Sequence, residues 1–102
     1  MINSYCKYER GDTVVLYHTF LTVEDKEPST VINPRITIRH VDNSDVLVTD
    51  VNEAIMLLVA ETTYYYKWVV TSDAFIGNHA IEFSAECDGE YQEENEIIEI
   101  VD

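Results

Sequence analysis

Metal binding is the first chemistry to consider, because the chain contains three histidines and two cysteines. Imidazole and thiolate groups are ligands for zinc and other transition metals. Cys6 and Cys87 stand near opposite ends and form no Cys-x-x-Cys pair, so zinc-ribbon and thioredoxin motifs are absent. His18, His40 and His79 fall in three separate predicted strands or strand edges, and their spacing gives no reason to expect convergence on a metal. We therefore predict no metal site and no cofactor. A Cys6–Cys87 disulfide is the alternative to two free thiols, and we predict free thiols because no secretion signal indicates an oxidising compartment.

Two acidic turns could supply oxygen ligands for calcium. Their residues are Asp42, Asn43 and Asp45 in one turn, and Asp88 and Glu90 in the other. Calcium needs six to eight oxygens, and neither turn has the Asp-x-Asn/Asp-x-Asn/Asp-Gly pattern of an EF-hand loop. A hydrogen-bonded Asx turn accounts for these residues better, and calcium remains an alternative.

Catalytic motifs are missing from the sequence. The only glycines are Gly11, Gly77 and Gly89, so the glycine-rich loops that bind phosphate and the Gly-x-Ser-x-Gly nucleophile turn cannot form. Acidic residues are numerous, but without a sign of a cleft they do not indicate a glycosidase carboxylate pair. We predict that the protein is not an enzyme.

The net charge of the chain limits the classes of molecule that it is expected to bind. Twenty acidic and six basic residues give a net charge of −14, and residues 81–102 contain nine acids with no Lys or Arg. Phosphate groups are bound by clustered Lys and Arg, so nucleic acid and anionic membranes are not expected partners. A cationic protein surface remains possible, and so does a simpler role in which the charge keeps the protein soluble.

The length and the apolar pattern indicate one soluble domain. One hundred and two residues suffice for a single core, which we place at 1–102 with a leading segment at 1–10 and a sandwich core at 11–102. The longest apolar run, Ala54 to Ala60, is much shorter than the roughly 20 residues of a membrane span. The first residues do not resemble a signal peptide. An oligomer is possible.

Apolar residues recur with a period of two along most of the chain, which predicts β-strands. Predicted strands cover 13–23, 35–41, 46–51, 62–70, 80–87 and 96–101. The segment from Glu53 to Glu61 fits a buried strand or a short helix, and we interpret it as a strand. Residues 24–33 form the one longer loop. About seven short strands in this length predict an all-β antiparallel sandwich.

The alternation also selects a core. The predicted core residues are Ile36, Ile38, Tyr64, Tyr66, Trp68, Ile81, Phe83, Ile98 and Ile100. The aromatic stripe Tyr64, Tyr66 and Trp68 could alternatively form a platform for sugars or bases, although in a sandwich such a stripe usually belongs to the core.

Four short stretches, taken in chain order, resemble the motifs of a known group of domains. They are Gly11-Asp12-Thr13-Val14, Ile36-Thr37-Ile38, Tyr64-x-Tyr66-x-Trp68 and Gly77-Asn78-His79-Ala80-Ile81. Together, over roughly residues 10 to 101, the chain resembles the immunoglobulin-like or fibronectin-type sandwich modules of bacteriophage structural proteins. The resemblance implies a virion component that decorates or stabilises a capsid or tail lattice and is assembled in the host cytoplasm.

The expected function is therefore a non-enzymatic interaction module with a protein partner. Its predicted contact residues are Tyr5, Tyr8, Tyr65, Tyr91, Glu93 and Glu94, since tyrosine is enriched at interfaces and the two glutamates fall in a predicted acidic loop. One alternative is a small acidic inhibitor or nucleic-acid mimic that binds a cationic protein surface. Another is an exported adhesin or carbohydrate-binding module.

Overall fold

The computed structural model describes residues 7–102, which form eight β-strands and no helix. The strands are β1 (Lys7–Glu9), β2 (Thr13–Thr19), β3 (Val31–Val41), β4 (Leu47–Ile55), β5 (Leu57–Ala60), β6 (Thr63–Val69), β7 (Gly77–Cys87) and β8 (Glu90–Val101). The all-β prediction is confirmed. Within residues 7–102 no helix could span a membrane.

The strands form two sheets that enclose one core. A five-stranded sheet has the order β1-β8-β7-β3-β4, and a three-stranded sheet has the order β2-β6-β5. Ring contacts from His18 on β2 to Phe83 on β7, and from Trp68 on β6 to His79 on β7, join the two inner faces. The arrangement is compatible with a β-sandwich. Every strand pair is antiparallel except β1–β8, which is parallel.

Strand alternation fills the core as a half-buried sheet requires. On β7 the residues Ile81, Phe83, Ala85 and Cys87 point inward, and the residues between them are more exposed. The other predicted isoleucines are also buried, namely Ile36, Ile38, Ile98 and Ile100. Trp68 is 8% exposed, whereas Tyr64 and Tyr66 are half-buried and pack against the core. Cys87 is a free thiol, and Cys6 lies outside the described residues.

The acidic segment after β7 is a strand and not a loop, so this part of the sequence prediction is wrong. Asp88 and Gly89 both have positive φ, at 52° and 86°, and form a two-residue hairpin turn. Asp-Gly favours such a turn because both residues tolerate the left-handed backbone that matches strand twist. β8 therefore begins at Glu90, and the interface candidates Tyr91, Glu93 and Glu94 all lie on a strand.

Residues 53–61 are extended, but they do not form one strand. The chain leaves the five-stranded sheet after Ile55 and enters the three-stranded sheet at Leu57. Met56 is the crossing point: its side chain is buried in the core and its N–H donates to the carbonyl of Pro34 at 2.9 Å. The run thus contains the end of β4, the edge strand of one sheet, and all of β5, the edge strand of the other.

Two further elements differ from the sequence prediction. Lys7–Glu9, within the predicted leading segment, pairs with β8 and adds an eighth strand to the seven expected. β3 begins at Val31, inside the predicted loop at 24–33. Its register shifts between Ile32 and Arg35, around Asn33, whose φ is 55°. Such an irregularity breaks the alternation that marks a strand in sequence.

Candidate functional site

A cluster of polar side chains lies where three neighbouring strands of the five-stranded sheet approach one end of the core. His40 on β3, Asp50 on β4 and His79 on β7 contribute one ligand atom each, and these atoms lie within 4.8 Å of one another. His40 Nδ1 lies 2.6 Å from Asp50 Oδ2, and His79 Nε2 lies 3.5 Å from the same oxygen. Within residues 7–102 this is the only group of three His, Cys, Asp or Glu residues so arranged.

A β-bulge places Asp50 in this cluster. Ile38 pairs with Val51, but the next residue of β3, Arg39, pairs with Thr49, so Asp50 is an extra residue in β4. An extra residue interrupts the strict in-and-out alternation and can redirect a side chain to the other face of the sheet. His40 on β3 and His79 on β7 are paired directly across the two strands. The carboxylate of Asp50 consequently reaches both of their imidazoles.

His79 is fully buried, with 0% exposure. Its Nδ1 lies 3.1 Å from the carbonyl oxygen of Gly77, which can only accept, so Nδ1 carries the hydrogen. The neutral ring then presents the lone pair of Nε2 towards Asp50. Nε2 has no hydrogen-bond partner among residues 7–102. Burial lowers the pKa of His79 below 6.5, against the opposing effects of the Gly77 carbonyl and the Asp50 charge.

Aromatic rings hold the two imidazoles in place. His40 stacks on Phe75 with ring centroids 4.5 Å apart and an interplanar angle of 13°. Trp68 contacts His79 at 5.3 Å. Gly77 has φ of +129°, and a Cβ there would lie 3.1 Å from the Phe75 ring. The absence of a side chain at Gly77 therefore allows the Phe75 ring to pack closely. The carbonyl of Gly77 orients His79.

A cavity of about 790 Å³ opens beside the cluster. His40 and Asp50 line it together with Arg10, Trp68 and Phe75. The side chain of Arg10 is held by a hydrogen bond of 2.9 Å from Nε to the carbonyl of Ala74. The cavity has the size of a small-molecule pocket, and it gives solvent access to the cluster.

The third histidine lies elsewhere in the core. His18 stacks on Phe83 at 4.5 Å and meets the edge of Phe20 at 4.6 Å. Burial lowers the pKa of His18, and the nearby charge of Glu94 opposes that shift. The structure thus brings two of the three histidines together and leaves the third among aromatic side chains.

In both acidic turns a carboxylate accepts hydrogen bonds from backbone N–H groups. Asp42 Oδ1 accepts hydrogen bonds from the N–H groups of Ser44 at 2.8 Å and Val46 at 3.0 Å, which form the Asx turn favoured by the sequence. These bonds lower the pKa of Asp42. Asp88 Oδ1 accepts from the N–H groups of Ser29 and Thr30, both at 2.9 Å.

The predicted contact residues are scattered. Tyr5 lies outside the described residues, and Tyr8 is half-buried against the core. Tyr91 is exposed on the outer face of β8. Glu93 and Glu94 are exposed, but they point to opposite faces of β8, because successive strand residues alternate and Glu94 pairs with the inward residue Phe83.

Tyr65 belongs to a different surface, the outer face of the three-stranded sheet. On β2 and β6 that face is formed by Thr13, Val15, Tyr17, Thr19, Thr63, Tyr65, Lys67 and Val69, and Leu57 of β5 continues it. Tyr17, Tyr65 and Leu57 occupy one row across the three strands. Tyr17 is 59% exposed and Leu57 is 55% exposed.

Comparison of the chain with protein-family models, curated protein sequences and solved structures gives no match. The candidate sites therefore depend on the geometry of this chain. Sequence reasoning missed Asp50, Tyr17 and Leu57. Alternation along β2 does place Tyr17 outward, whereas the bulge at Asp50 and the sheet exchange before Leu57 depend on strand pairing that a single sequence does not display.

Proposed function

We propose that the protein is a non-enzymatic structural module that binds a protein lattice through the outer face of its three-stranded sheet. The observation that carries this proposal is the contrast between this face and the rest of the chain. Twenty of the 102 residues are acidic, yet none of the eight outward positions of β2 and β6 is Asp or Glu. A face that only kept the protein soluble would share its negative charge.

The apolar part of the face is continuous across the sheet. The Tyr17 and Tyr65 rings lie 6.3 Å apart, and Leu57 stands directly opposite Tyr65 on the other side. Val69, 58% exposed, extends the surface along β6. Tyrosine offers a large contact area and a hydroxyl group, which suits an interface that is wet before assembly and buried after it.

The edge of the same sheet offers a second mode of contact. β5 pairs only with β6, all four of its residues (Leu57–Ala60) are exposed, and none of them is charged. Edge strands that avoid unwanted pairing carry charges or proline. An uncharged edge strand is suited to strand addition, in which a partner strand pairs with the open backbone.

The occupant that we propose is a different protein with a basic surface around an apolar patch. Two copies of this chain would bring net charges of −14 together, which disfavours a dimer, whereas a basic partner would be attracted. Nucleic acid and anionic membranes are not proposed as partners because only six basic residues are present.

The kind of assembly that we propose is a bacteriophage virion, in which this chain decorates or stabilises a capsid or tail lattice after synthesis in the host cytoplasm. The support is the immunoglobulin-like resemblance of the four sequence stretches, together with two sheets that are compatible with such a sandwich. The module would act by burying surface, without turnover.

Quantitative mass spectrometry of purified particles from the source tests this assembly. We expect tens to hundreds of copies of the chain per particle. Rebinding of purified chain to particles depleted of it then tests the face. Leu57→Glu and Tyr17→Glu should each weaken rebinding by more than about tenfold, because a buried charge replaces an apolar contact.

Ile97→Glu is the matched control, because Ile97 is an exposed apolar residue on the outer face of the other sheet. It should rebind as the wild type does. Absence of the chain from particles would overturn the virion proposal. Equal loss of rebinding in all three variants would overturn the choice of face, and self-association of the free chain through Leu57 would overturn the choice of occupant.

An acidic inhibitor is the second candidate, supported by crowded carboxylates on the outer face of β7 and β8. Burial and the neighbouring Glu93 raise the pKa of Glu82. A positively charged group bound beside these two carboxylates would reduce their mutual repulsion. Arg39 already pairs with Glu82 at 3.6 Å, and Glu94 faces the other way, so the acidic face is interrupted. Loss of partner binding in Glu93→Lys with no effect of Leu57→Glu would favour this candidate.

A further inference from the structure

We propose that His40, Asp50 and His79 form a binding site for one divalent first-row transition metal ion, with Zn²⁺ as the best fit. The donors are Nδ1 of His40, Oδ2 of Asp50 and Nε2 of His79. Two imidazoles and one carboxylate suit zinc, cobalt, nickel or copper, whereas calcium and magnesium prefer an all-oxygen set.

One of the three donor separations already matches a tetrahedral site, and the third pair, His40 Nδ1 and His79 Nε2, lies within 4.8 Å. Zinc bonds of about 2.0–2.1 Å place neighbouring tetrahedral ligand atoms roughly 3.3 Å apart. The pair His79 Nε2 and Asp50 Oδ2, at 3.5 Å, already meets that separation. The pair His40 Nδ1 and Asp50 Oδ2, at 2.6 Å, is joined by a hydrogen bond and needs to open by about 0.7 Å as a metal replaces the proton.

The unpartnered nitrogen of His79 is the independent sign of a ligand. A buried polar atom without a hydrogen bond costs free energy, so such atoms are uncommon in folded proteins. Nε2 of His79 is buried, has no hydrogen-bond partner among residues 7–102, and is directed towards the carboxylate of Asp50. A metal bound at this atom would satisfy it.

The surroundings of His79 are those of a metal ligand. Its Nδ1–H donates to the Gly77 carbonyl, the outer contact that commonly orients a ligating histidine and exposes its other nitrogen. The bulge in β4 brings the carboxylate to the same face. These two backbone features act on different strands, and both direct donor atoms to one point.

Three protein ligands leave one coordination position open. His40 and Asp50 line the cavity of about 790 Å³, so water or a small anion can reach the metal from that side. Arg10 lines the same cavity, but its Nη1 lies 3.9 Å from the carboxylate of Asp102 and Asp73 also lines the cavity, so water is the expected fourth ligand.

The test uses untagged protein freed of metal by a chelator and then titrated with Zn²⁺ or Co²⁺ at pH 7. We expect one equivalent of Zn²⁺ to bind with a Kd in the micromolar range or below by calorimetry, and to raise the melting temperature. Co²⁺ should produce the intense visible absorption of a tetrahedral site. That spectrum reports ligand geometry in the wild type, so it does not depend on any variant folding.

Asp50→Asn and His79→Gln should each lower the Zn²⁺ affinity by more than about 100-fold, since even outer-contact changes cost 10- to 100-fold. His18→Gln is the matched control, because His18 is also half-buried among aromatic rings but lies outside the cluster. It should bind as the wild type does. No tetrahedral Co²⁺ spectrum, or weak binding of several ions that is unchanged in folded Asp50→Asn protein, would overturn the proposal.

Discussion

Two histidines face the core of this protein from different strands, and their surroundings differ. His18 on β2 is packed between Phe20 and Phe83, and the nearby carboxylate of Glu94 acts on its pKa. His79 on β7 meets an aspartate, a second histidine and a backbone carbonyl. We refer to the first as the aromatic end and to the second as the polar end.

Burial lowers the pKa of both His18 and His79, so burial alone does not distinguish them. The difference arises from backbone geometry. At the polar end a bulge redirects Asp50 and the left-handed Gly77 supplies an oriented carbonyl. At the aromatic end the ladder of β2 with β6 is regular and its inward positions follow strict alternation. In this protein, therefore, the histidine in the regular ladder packs as an aromatic residue, and the histidine beside the bulge has polar partners.

The largest expected effect is a loss of stability when a side chain at the aromatic end is truncated. Phe83→Ala should lower the free energy of unfolding by about 3–5 kcal/mol, because Phe83 is fully buried and its removal leaves a cavity under His18. Urea denaturation measures the loss. The smaller truncation Phe83→Leu keeps a large apolar side chain in the site, so it should cost less than Phe83→Ala and keeps the protein folded for comparison.

The exposed residue Val69 supplies the control, since Val69→Ala should change stability by less than about 0.5 kcal/mol. The aromatic end would be less important to the core than its packing indicates if Phe83→Ala cost no more than Phe83→Leu. Within residues 7–102, Phe83 makes a ring contact with His18 and none with His40 or His79, so the 2.6 Å bond between His40 and Asp50 should survive in Phe83→Leu.

The sequence predicts the aromatic end better than the polar end. Period-two alternation correctly indicates that Phe83, which stacks on His18, points inward on β7, because regular strands repeat every two residues. Asp50 lies within a run that reads as an ordinary strand, and only its pairing with β3 makes it an extra residue. Register of this kind depends on residues distant in the chain, so a local pattern does not reveal it.

The turn before β8 shows a second case in which two sequence signals predict different structures. Asp88-Gly89 is a strong local hairpin signal, yet the density of charge after it indicates a loop if composition is weighed alone. In the structure the turn chemistry prevails, and the glutamates of β8 are accommodated because most of them are exposed. Local backbone preference at two residues therefore outweighs the polarity of the six that follow.

An intermediate loss of stability is expected when a glycine at the polar end is replaced. Gly77→Ala should lower the free energy of unfolding by about 1–3 kcal/mol, because φ of +129° is strained for alanine. Its Cβ would also lie 3.1 Å from the Phe75 ring that stacks on His40. Gly11→Ala is the matched control: φ there is +90°, but nothing lies within 4 Å of the added Cβ.

Urea denaturation of both variants separates backbone strain from the contact with Phe75. We expect Gly77→Ala to be the more destabilised variant. If the two alanine variants lose the same stability, the Phe75 ring adapts freely, and the polar end is less rigid than its aromatic packing indicates.

The smallest expected effect is a pH dependence that sharpens the comparison at its aromatic end. Because the pKa of folded His18 lies below 6.5, the unfolded chain binds the proton more readily, and stability is fully present above about pH 6.5. It should fall as the pH drops below that value towards the folded pKa. His18→Phe should flatten the fall between pH 7 and 5.5 without abolishing it, because the pKa of His79 is lowered as well.

Glu94→Gln separates the two contributions. Loss of the Glu94 charge removes the effect that raises the pKa of His18, so that pKa should drop further and the fall in stability on acidification should steepen. Urea denaturation at a series of pH values, with Glu96→Gln as an exposed control on the same strand, measures the difference. A slope that is unchanged in Glu94→Gln, or equally steep in His18→Phe and the wild type, would place the titrating proton at the polar end instead.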